Sequence, residues 1–430
     1  MTSTKPFNIA IIGGGISGLT LAVALLKQKV PFTVYESASK FGEIGAGVGF
    51  GPHAVRAIEL ISPELTEGFR RCVTQGERAK NWFTVRVGDK RKAGPDGVLK
   101  QREKEGLKVG DPVFEIHYTN DVPSGGVHRA HFLDELLKLV PESASKLGKR
   151  LVDITAATDG SQDAVLRFAD GTTAQHSAVI GCDGIKSKTR ELLLGEGEGK
   201  AVYSGQYAYR GLVPMDKAIQ MLGEEVARDS QMYLGYDGHL LTYPVEKGKT
   251  MNVVAFITTE TWTDPQWVVG TSKEKMLEDF KNWGPDVISI IEIMERRDIW
   301  ALFNHLPAET YYGISPRICL LGDAAHASTP HQGSGAGMCV EDCYILSELI
   351  GKAESVQDLD KAFKAYDEVR RPRTLKLVKT SREAGQLYQF QLEGDDLDAV
   401  ERNFQTRMQW IWDADLKQDL EKALLIYASG

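Results

Sequence analysis

The sequence lacks long hydrophobic runs, a secretory leader and an excess of basic residues. Its longest apolar stretch, residues 19–26, is far shorter than the roughly 20 residues that a bilayer span needs. The first six residues contain no apolar signal core, and the last four carry no lipidation or peroxisomal address. Lys and Arg number 51 against 59 Asp and Glu, a net charge of −8. We therefore expect neither a membrane anchor nor a nucleic-acid partner.

Cysteine is also scarce. The chain has five cysteines and no Cys-x-x-Cys pair, and the odd number argues against a disulfide framework. Cys339 and Cys343 share a helix face, but no histidine lies near them at the spacing of a zinc site. These features predict reduced thiols, a cytoplasmic protein and no metal centre.

What the sequence does have is a set of alternating strand and helix patterns. An apolar strand at 7–12, a helix at 16–29 and a strand at 32–36 predict a βαβ unit at the N-terminus. Strand patterns at 207–212, 232–234, 239–243 and 251–257 predict a separate sheet. A hairpin is predicted at 165–182, and helices are predicted at 131–139, 273–283, 337–350 and 359–388. Segment 76–125 has no helical period, and residues 88–92 and 95–97 predict turns or loops.

The turn after the first strand carries a glycine motif. Gly13, Gly15 and Gly18 fit the pattern G-x-G-x-x-G between a strand and a helix, and Glu36 ends the next strand. The first two glycines allow a tight turn and a close approach to a pyrophosphate, and the third lets the helix pack on the strand. Glu36 can accept hydrogen bonds from a ribose. This motif predicts a dinucleotide site, and by itself it fits FAD and NAD equally.

Two later segments favour a flavin. Asp183 follows an apolar strand at 179–182, and Asp323 follows another at 317–322. Either carboxylate can hold a ribityl hydroxyl or a bridging water, although Asp183 can instead cap a helix, and Asp323 has the same alternative. A glycine-rich run that includes Gly335 and Ala336 then opens a helix, whose free N–H groups would face an isoalloxazine ring.

Together the three segments resemble those of the FAD-dependent aromatic hydroxylases, which share the para-hydroxybenzoate hydroxylase fold. Residues 43–47, which end in Gly47, resemble the segment that passes the flavin, and Arg129 resembles the arginine that begins an FAD-contacting helix. His53 departs from the Pro-Asn-Ala that the family usually has at 52–54. Residues 300–302, 322–326 and 330–333 are most similar to salicylate hydroxylases, particularly the fungal type.

The resemblance implies an α/β fold: a Rossmann-type FAD-binding domain, an inserted mixed β-sheet substrate domain and C-terminal helices. We assign residues 1–75, 126–190 and 300–360 to the FAD-binding domain. Residues 76–125 and 191–299 form the predicted substrate domain, and residues 361–430 the helical region. The implied cofactors are FAD and a transient NADH or NADPH, which the sequence does not distinguish. The implied oxygen donor to an electron-rich ring is a C4a-hydroperoxide formed from reduced flavin and O2.

Four side chains are candidates for binding the aromatic substrate. Arg210 lies on a strand where relatives hold substrate oxyanions, and Tyr243 can donate to a phenolate. These two are also the predicted catalytic residues. His239 and Gln332 are further candidates, Gln332 because it lies in the flavin-ring loop. Arg210 has the alternative of an exposed strand arginine and Tyr243 that of a core tyrosine, and Gln332 could contact the flavin instead of the substrate.

The expected reaction is monooxygenation of a small phenolic acid, with salicylate converted to catechol and CO2. One alternative is hydroxylation or dearomatisation of a resorcinol-type polyketide aldehyde in fungal secondary metabolism. Another is a flavin-binding or redox-sensing protein with no aromatic substrate. The sequence does not predict an oligomeric state.

Overall fold

The computed structural model describes residues 5–42, 47–75, 78, 80–90, 108–122, 124–161, 163–295 and 298–430. Its strands, in chain order, are β1 (Ile9–Ile12), β2 (Phe32–Tyr35), β3 (Gly47–Phe50), β4 (Asn81–Val87), β5 (Pro112–His117), β6 (Gly125–His128), β7 (Ser145–Lys146), β8 (Leu151–Ala156), β9 (Ala164–Phe168), β10 (Thr173–His176), β11 (Ala178–Gly181), β12 (Val202–Pro214), β13 (Gln231–Gly235), β14 (Gly238–Val245), β15 (Thr250–Thr258), β16 (Val268–Gly270), β17 (Asp298–Asn304), β18 (Tyr312–Ile314) and β19 (Arg317–Leu320).

Its helices, in chain order, are α1 (Ile16–Lys27), α2 (Pro52–Ile61), α3 (Pro63–Cys72), α4 (Arg129–Leu137), α5 (Lys188–Leu194), α6 (Met215–Leu222), α7 (Glu224–Arg228), α8 (Lys273–Asp279), α9 (Pro285–Ile293), α10 (Asp323–His326), α11 (Gly335–Lys352), α12 (Asp358–Tyr388), α13 (Leu397–Arg407), α14 (Gln409–Trp412) and α15 (Leu416–Ser429). Short 3-10 turns lie at Glu142–Ala144, Glu246–Gly248 and Pro330–Gln332. Within the described ranges, no helix combines the length and the apolar character that crossing a bilayer requires.

A six-stranded sheet in the order β18-β19-β11-β1-β2-β7 forms the first layer. Strands β1, β11 and β19 are fully buried, as their continuous apolar sequences require in a sheet covered on both faces. All of its pairings are parallel except that of β18 with β19. This sheet confirms the predicted Rossmann-type α/β class. Because β11 lies beside β1 and β19 lies beside β11, segments far apart in the sequence end at one edge.

An eight-stranded mixed sheet in the order β16-β17-β12-β15-β14-β13-β4-β5 forms the second layer. Its pairings are antiparallel except that of β13 with β4. One face packs on helices α8 and α9 through buried Tyr209, Phe280 and Trp283. Residues of the other face, among them Val85 and Phe256, pack against the C-terminal helices.

Two details of secondary structure differ from the sequence expectations. Segment 76–125 contributes strands β4 and β5, which pairing within the large sheet stabilises although the segment has no strong local period. The predicted hairpin is interrupted after β10, and β11 joins the six-stranded sheet instead of continuing the hairpin. Of the predicted turns, only residues 88–90 lie within the described ranges; residues 91–92 and 95–97 lie outside them.

The division into domains stays a prediction, although the sheets bear on where its boundaries could lie. Strand β17 crosses the predicted boundary at residue 300 and pairs with β12 and β16 in the large sheet. The long helix α12 begins three residues before the predicted boundary at 361 and packs on α11 and α15. In the C-terminal region Trp412 is buried, whereas Trp410 is partly buried under the cations of Arg373 and Lys376.

Candidate active site

The three predicted cofactor segments meet at one sheet edge. Ile12 pairs with Gly181, and Gly181 pairs with Leu320, so β1, β11 and β19 end side by side. The turns that follow these strands therefore converge, as expected for a nucleotide site at the carboxyl ends of parallel strands.

The glycine turn after β1 has no room for larger residues. Gly13 has φ +105°, and a Cβ there would lie 2.4 Å from the Cys182 carbonyl oxygen. A Cβ at Gly18 would lie 1.9 Å from the Gly13 carbonyl oxygen. Gly15 is the N-cap of α1 and no described side chain caps that helix end, so the first-turn N–H groups remain available to a phosphate.

The carboxylate of Glu36 lies beside this turn and also stabilises it through hydrogen bonds. Its Oε2 accepts a hydrogen bond from the Gly14 N–H at 2.8 Å, and its Oε1 accepts one from the Ala38 N–H at 2.7 Å. An ionised carboxylate has about four acceptor positions, so room is left for a ribose hydroxyl.

The two aspartates that follow β11 and β19 differ in their surroundings. Asp183 accepts hydrogen bonds from the Ser187 hydroxyl at 2.6 Å and from the Thr189 N–H at 3.0 Å, which order the entry into α5. Asp323 is exposed and makes no side-chain hydrogen bond to the described part of the chain. The structure therefore gives Asp183 the capping contacts of the structural alternative and leaves the Asp323 carboxylate available to a ligand.

A buried charge network fixes the helix that follows the glycine-rich run. The Arg370 Nε donates to Asp342 at 2.8 Å, and Arg373 forms two hydrogen bonds of 2.8 Å to Glu341. His326 contacts Asp342 at 2.5 Å. Burial alone would raise the pKa of Asp342, but His326 and Arg370 hold it below its ordinary value. Helix α11 is thereby held in place, and its N-terminus at Gly335 and Ala336 is not capped by a side chain from the part of the chain that the structure describes.

A cavity lies between this helix end and the large sheet, and it encloses about 1070 Å³ of empty space including its open mouth. One wall is the flavin-type loop at 330–334, and a second is made by glycines of β3 and β6. A third wall is the sheet face, and aromatic side chains close the remainder. The lining side chains include Arg210, Tyr243, Asn252, His331, Gln332, Trp82, Tyr118 and Trp412.

The structure brings Arg210 and Tyr243 together on the sheet face. Arg210 pairs with Val254 and Tyr243 pairs with Asn252, two positions apart on β15, so both side chains lie on one face. The Arg210 guanidinium lies 5.1 Å from the centre of the Trp300 ring. Within the described ranges, Arg210 forms no ion pair, and its buried Nε has no hydrogen-bond partner.

Burial controls the ionisation of both groups. It lowers the pKa of Arg210, an effect that Tyr243 opposes and the nearby charge of Arg129 reinforces. A guanidinium nevertheless stays charged at working pH. Burial raises the pKa of Tyr243 to about 12, and the Arg210 charge offsets part of the rise. The cavity therefore presents a cation and a neutral hydroxyl donor.

Gly47 is a predicted cofactor residue. Because it has no side chain, the cofactor side of the cavity can lie close to the large sheet. The Gly47 N–H donates to the Asn252 side-chain oxygen at 3.1 Å, and a Cβ there would lie 2.8 Å from the Tyr243 hydroxyl. The preceding residues of this predicted flavin segment, 43–46, lie outside the described residues. Arg129 begins α4.

The other two substrate candidates have different surroundings. His239 is absent from the cavity wall; it stacks on Phe256 with ring centres 4.2 Å apart and contacts Gln389. Gln332 borders the cavity, but its amide oxygen accepts a hydrogen bond from Thr380 at 2.7 Å. The Gln332 amide oxygen is therefore engaged with α12, and the His239 Nδ1 contacts the residue after that helix, whereas the His239 Nε2 has no partner among the described residues.

The sequence reasoning missed His331 and the aromatic wall as site residues. His331 is buried at the cavity, its Nδ1 has no partner among the described residues, and burial lowers its pKa to about 3. His331 lies beside Gln332 in the same motif, and that motif is the sequence feature that could have identified it as a site residue. No local pattern indicated Trp412, which meets Trp82 and Tyr118 with ring centres 5.1 and 4.9 Å apart.

These features fit FAD. The glycine turn provides a close-approach cradle, two uncapped helix ends offer N–H donors to anionic groups, and Asp323 is free to accept hydrogen bonds. The cavity then continues from the glycine-rich loop to the charged sheet face.

Comparison with known proteins gives the same assignment. Residues 134–381 match the model of an FAD binding domain, and residues 11–46 match an NAD(P)-binding Rossmann-like domain. The chain is 39% identical to the 6-methylsalicylate 1-monooxygenase of Aspergillus terreus, over 100% of this chain and 94% of that one. It is 37% identical to a salicylate hydroxylase of Pseudomonas putida, over 96% and 94%. A solved salicylate hydroxylase substrate complex superimposes with a TM-score of 0.82 at 33% identity, covering 98% of both chains.

Proposed function

We propose a substrate class from one premise: the chain belongs to the family of FAD-dependent monooxygenases that includes the salicylate hydroxylases. The proposed reaction is monooxygenation of salicylate or a ring-substituted salicylate at the carbon that bears the carboxylate. Salicylate, NAD(P)H, O2 and two protons would give catechol, NAD(P)+, water and CO2. The observation that carries this proposal is Arg210, a cation without an ion-pair partner in the described part of the cavity.

Arg210 is suited to an anionic aromatic acid. Its planar guanidinium can hold a carboxylate or a phenolate through parallel N–H donors. Trp300 lies against it at 5.1 Å and restricts its orientation. A charge-assisted hydrogen bond contributes about 1.5–3 kcal/mol where water is excluded. Arg210 would thereby orient the ring as well as bind it.

Two further side chains would form hydrogen bonds with the phenol oxygen. His331 is neutral because burial lowers its pKa to about 3, so its Nδ1 can accept a hydrogen bond from the phenol but is too weak a base to take up its proton. Tyr243 remains protonated and can donate a hydrogen bond to the same oxygen once it is a phenolate. The phenolate is electron-rich, which is the form of the ring that oxygen transfer requires.

The chemistry that FAD supplies when bound is activation of O2 and delivery of one oxygen atom. The groups that would hold it include Gly13, Gly15, Gly18, Glu36, Gly47, Arg129, Asp183, Asp323, Gly335 and Ala336. Trp82, Tyr118 and Trp412 would keep water from the reacting atoms.

A resorcinol-type polyketide aldehyde is the second candidate substrate. The relatives also include a FAD-dependent monooxygenase of Monascus ruber, 38% identical over 98% of this chain and 97% of that one, whose name states no substrate.

The decisive experiment compares salicylate, 6-methylsalicylate and a resorcylic aldehyde as stimulants of NAD(P)H oxidation, with products identified by mass. We expect both acids to lose CO2 and gain one oxygen atom. If both acids are inert and the aldehyde gains one oxygen atom, the aldehyde replaces the salicylates as the proposed substrate. FAD binding without any substrate-stimulated turnover would support the redox-sensor hypothesis instead.

A further inference from the structure

We propose that His128, His131 and Glu246 form a binding site for one divalent transition-metal ion, and that Zn2+ is the ion which suits this donor set. The Nε2 atoms of His128 and His131 lie 3.9 and 4.0 Å from the Glu246 Oε1. One donor atom from each of the three residues lies within 4.8 Å of the others. The cluster lies where the start of α4 meets the turn after β14.

The local structure orients these three side chains toward one another. His128 is the N-cap of α4 and His131 is three residues further on, so the two imidazoles share a helix face with ring centres 4.4 Å apart. Glu246 begins a 3-10 turn with φ 54°. The Thr250 hydroxyl donates to Glu246 Oε2 at 2.5 Å and leaves Oε1 facing the imidazoles. Such a hydrogen bond to the far oxygen commonly orients a metal-ligating carboxylate.

The donor set and its spacing match zinc chemistry. Two imidazoles and one carboxylate form a common three-residue zinc set, with metal–donor bonds of about 2.0–2.2 Å. Tetrahedral bonds of that length place the donor atoms about 3.4 Å apart. The observed separations of 3.9 and 4.0 Å exceed a hydrogen bond, so neither imidazole is tied to the carboxylate. A shift of about half an ångström brings each imidazole nitrogen to that distance from the carboxylate oxygen. His131, whose side chain is 53% exposed, leaves an entry path for the ion and a fourth ligand, water.

A bound ion would join two parts of the fold. His128 ends β6 immediately before Arg129, and Glu246 follows β14, the strand that carries Tyr243. Zinc would therefore tie the start of α4 to the large sheet beside the cavity. His128 and His131 are close in the sequence, but Glu246 lies in a distant segment, so the complete ligand set is formed only in the fold.

The test uses the full-length, FAD-loaded protein after treatment with EDTA and dialysis. Zinc binding is measured by competition with a fluorescent chelator, and Tm is measured with and without ZnCl2. We expect one Zn2+ per chain with a Kd in the micromolar range or below. At a zinc concentration of about one hundred times Kd, Tm should rise by about 3 °C.

His131→Ala and Glu246→Gln should each weaken zinc binding at least tenfold and abolish the Tm rise. The matched control is His117→Ala, which removes a histidine whose side chain is also 53% exposed and lies 3.5 Å from a glutamate. The control should bind zinc like the wild type. All variants should keep the wild-type Tm in EDTA, which excludes misfolding. Absence of stoichiometric zinc, undiminished binding by both site variants, or an equal loss in the control would overturn the proposal.

Discussion

Replacement of Arg210 by alanine should reduce substrate turnover far more than it affects FAD. The guanidinium lines the cavity next to Tyr243, and within the described ranges it forms no ion pair that could account for it as a structural residue. Loss of a charge-assisted contact costs about 1.5–3 kcal/mol, or about 10- to 150-fold in kcat/KM. Arg210→Lys should recover only part, since an ammonium lacks the planar pair of donors. Tyr243→Phe should lose less, because it removes one neutral donor.

The assay is substrate-stimulated NAD(P)H oxidation at equal flavin content, with salicylate and with a neutral phenol of similar size. Arg210→Ala should lose more with the acid than with the neutral phenol. Arg86→Ala is the matched control, because Arg86 lies in the same sheet, donates to Gln231 at 2.8 Å and is absent from the cavity wall. It should lose stability and keep kcat/KM. The reasoning is refuted if Arg210→Ala keeps its kcat/KM with salicylate, or if its principal defect is loss of FAD.

Three further changes test other parts of the molecule. Asp323→Asn should weaken FAD binding about tenfold or more by removing a charged acceptor, and flavin fluorescence titration measures this; unchanged affinity would contradict the assignment. Burial lowers the pKa of His53 to about 4 from 6.5. Between pH 6.5 and about pH 4 the unfolded chain therefore binds a proton at this histidine that the folded chain does not bind. The free energy of unfolding falls as the pH is lowered through that window. His53→Asn should lose less Tm than the wild type between pH 7 and pH 5, whereas exposed His117→Asn should behave like the wild type; equal losses would refute this. Trp412→Ala should open the cavity and release more H2O2 per NAD(P)H oxidised, whereas Trp410→Ala, outside the cavity wall, should not; equal release by the two variants would contradict the role of the wall.

Local patterns were sufficient to predict the cofactor half of the fold. The turn at Gly13–Gly18 and the aspartates after β11 and β19 are governed by backbone geometry within a few residues, and such constraints are visible in the sequence. These segments converge because each of them follows a parallel strand of one sheet. The role of Asp183 was harder to predict, since a helix cap and a cofactor ligand require the same residue type.

The substrate half depended on contacts between distant segments. Strand β4 is stabilised by pairing with β13, and its Trp82 meets Trp412 from the far end of the chain. No periodicity within residues 76–125 reveals either contact. Gln332 shows a related problem: its position in the flavin-type loop was predicted, but its bond to Thr380 on α12 depends on tertiary packing.

Hydrogen bonding distinguishes Arg210 from the fully buried arginines Arg190 and Arg370. Arg190 donates to the Ala325 carbonyl at 2.7 Å, and Arg370 is paired with Glu341 and Asp342, so each has oxygen partners for part of its guanidinium. Arg210 instead faces Trp300 and the cavity, without a carboxylate partner among the described residues. Removing a cation from water is costly unless an anion or hydrogen bonds replace the water. An anionic substrate supplies that partner, whereas a neutral phenol of the same shape leaves the guanidinium unpaired. It follows that charge should govern selectivity in this cavity before shape does.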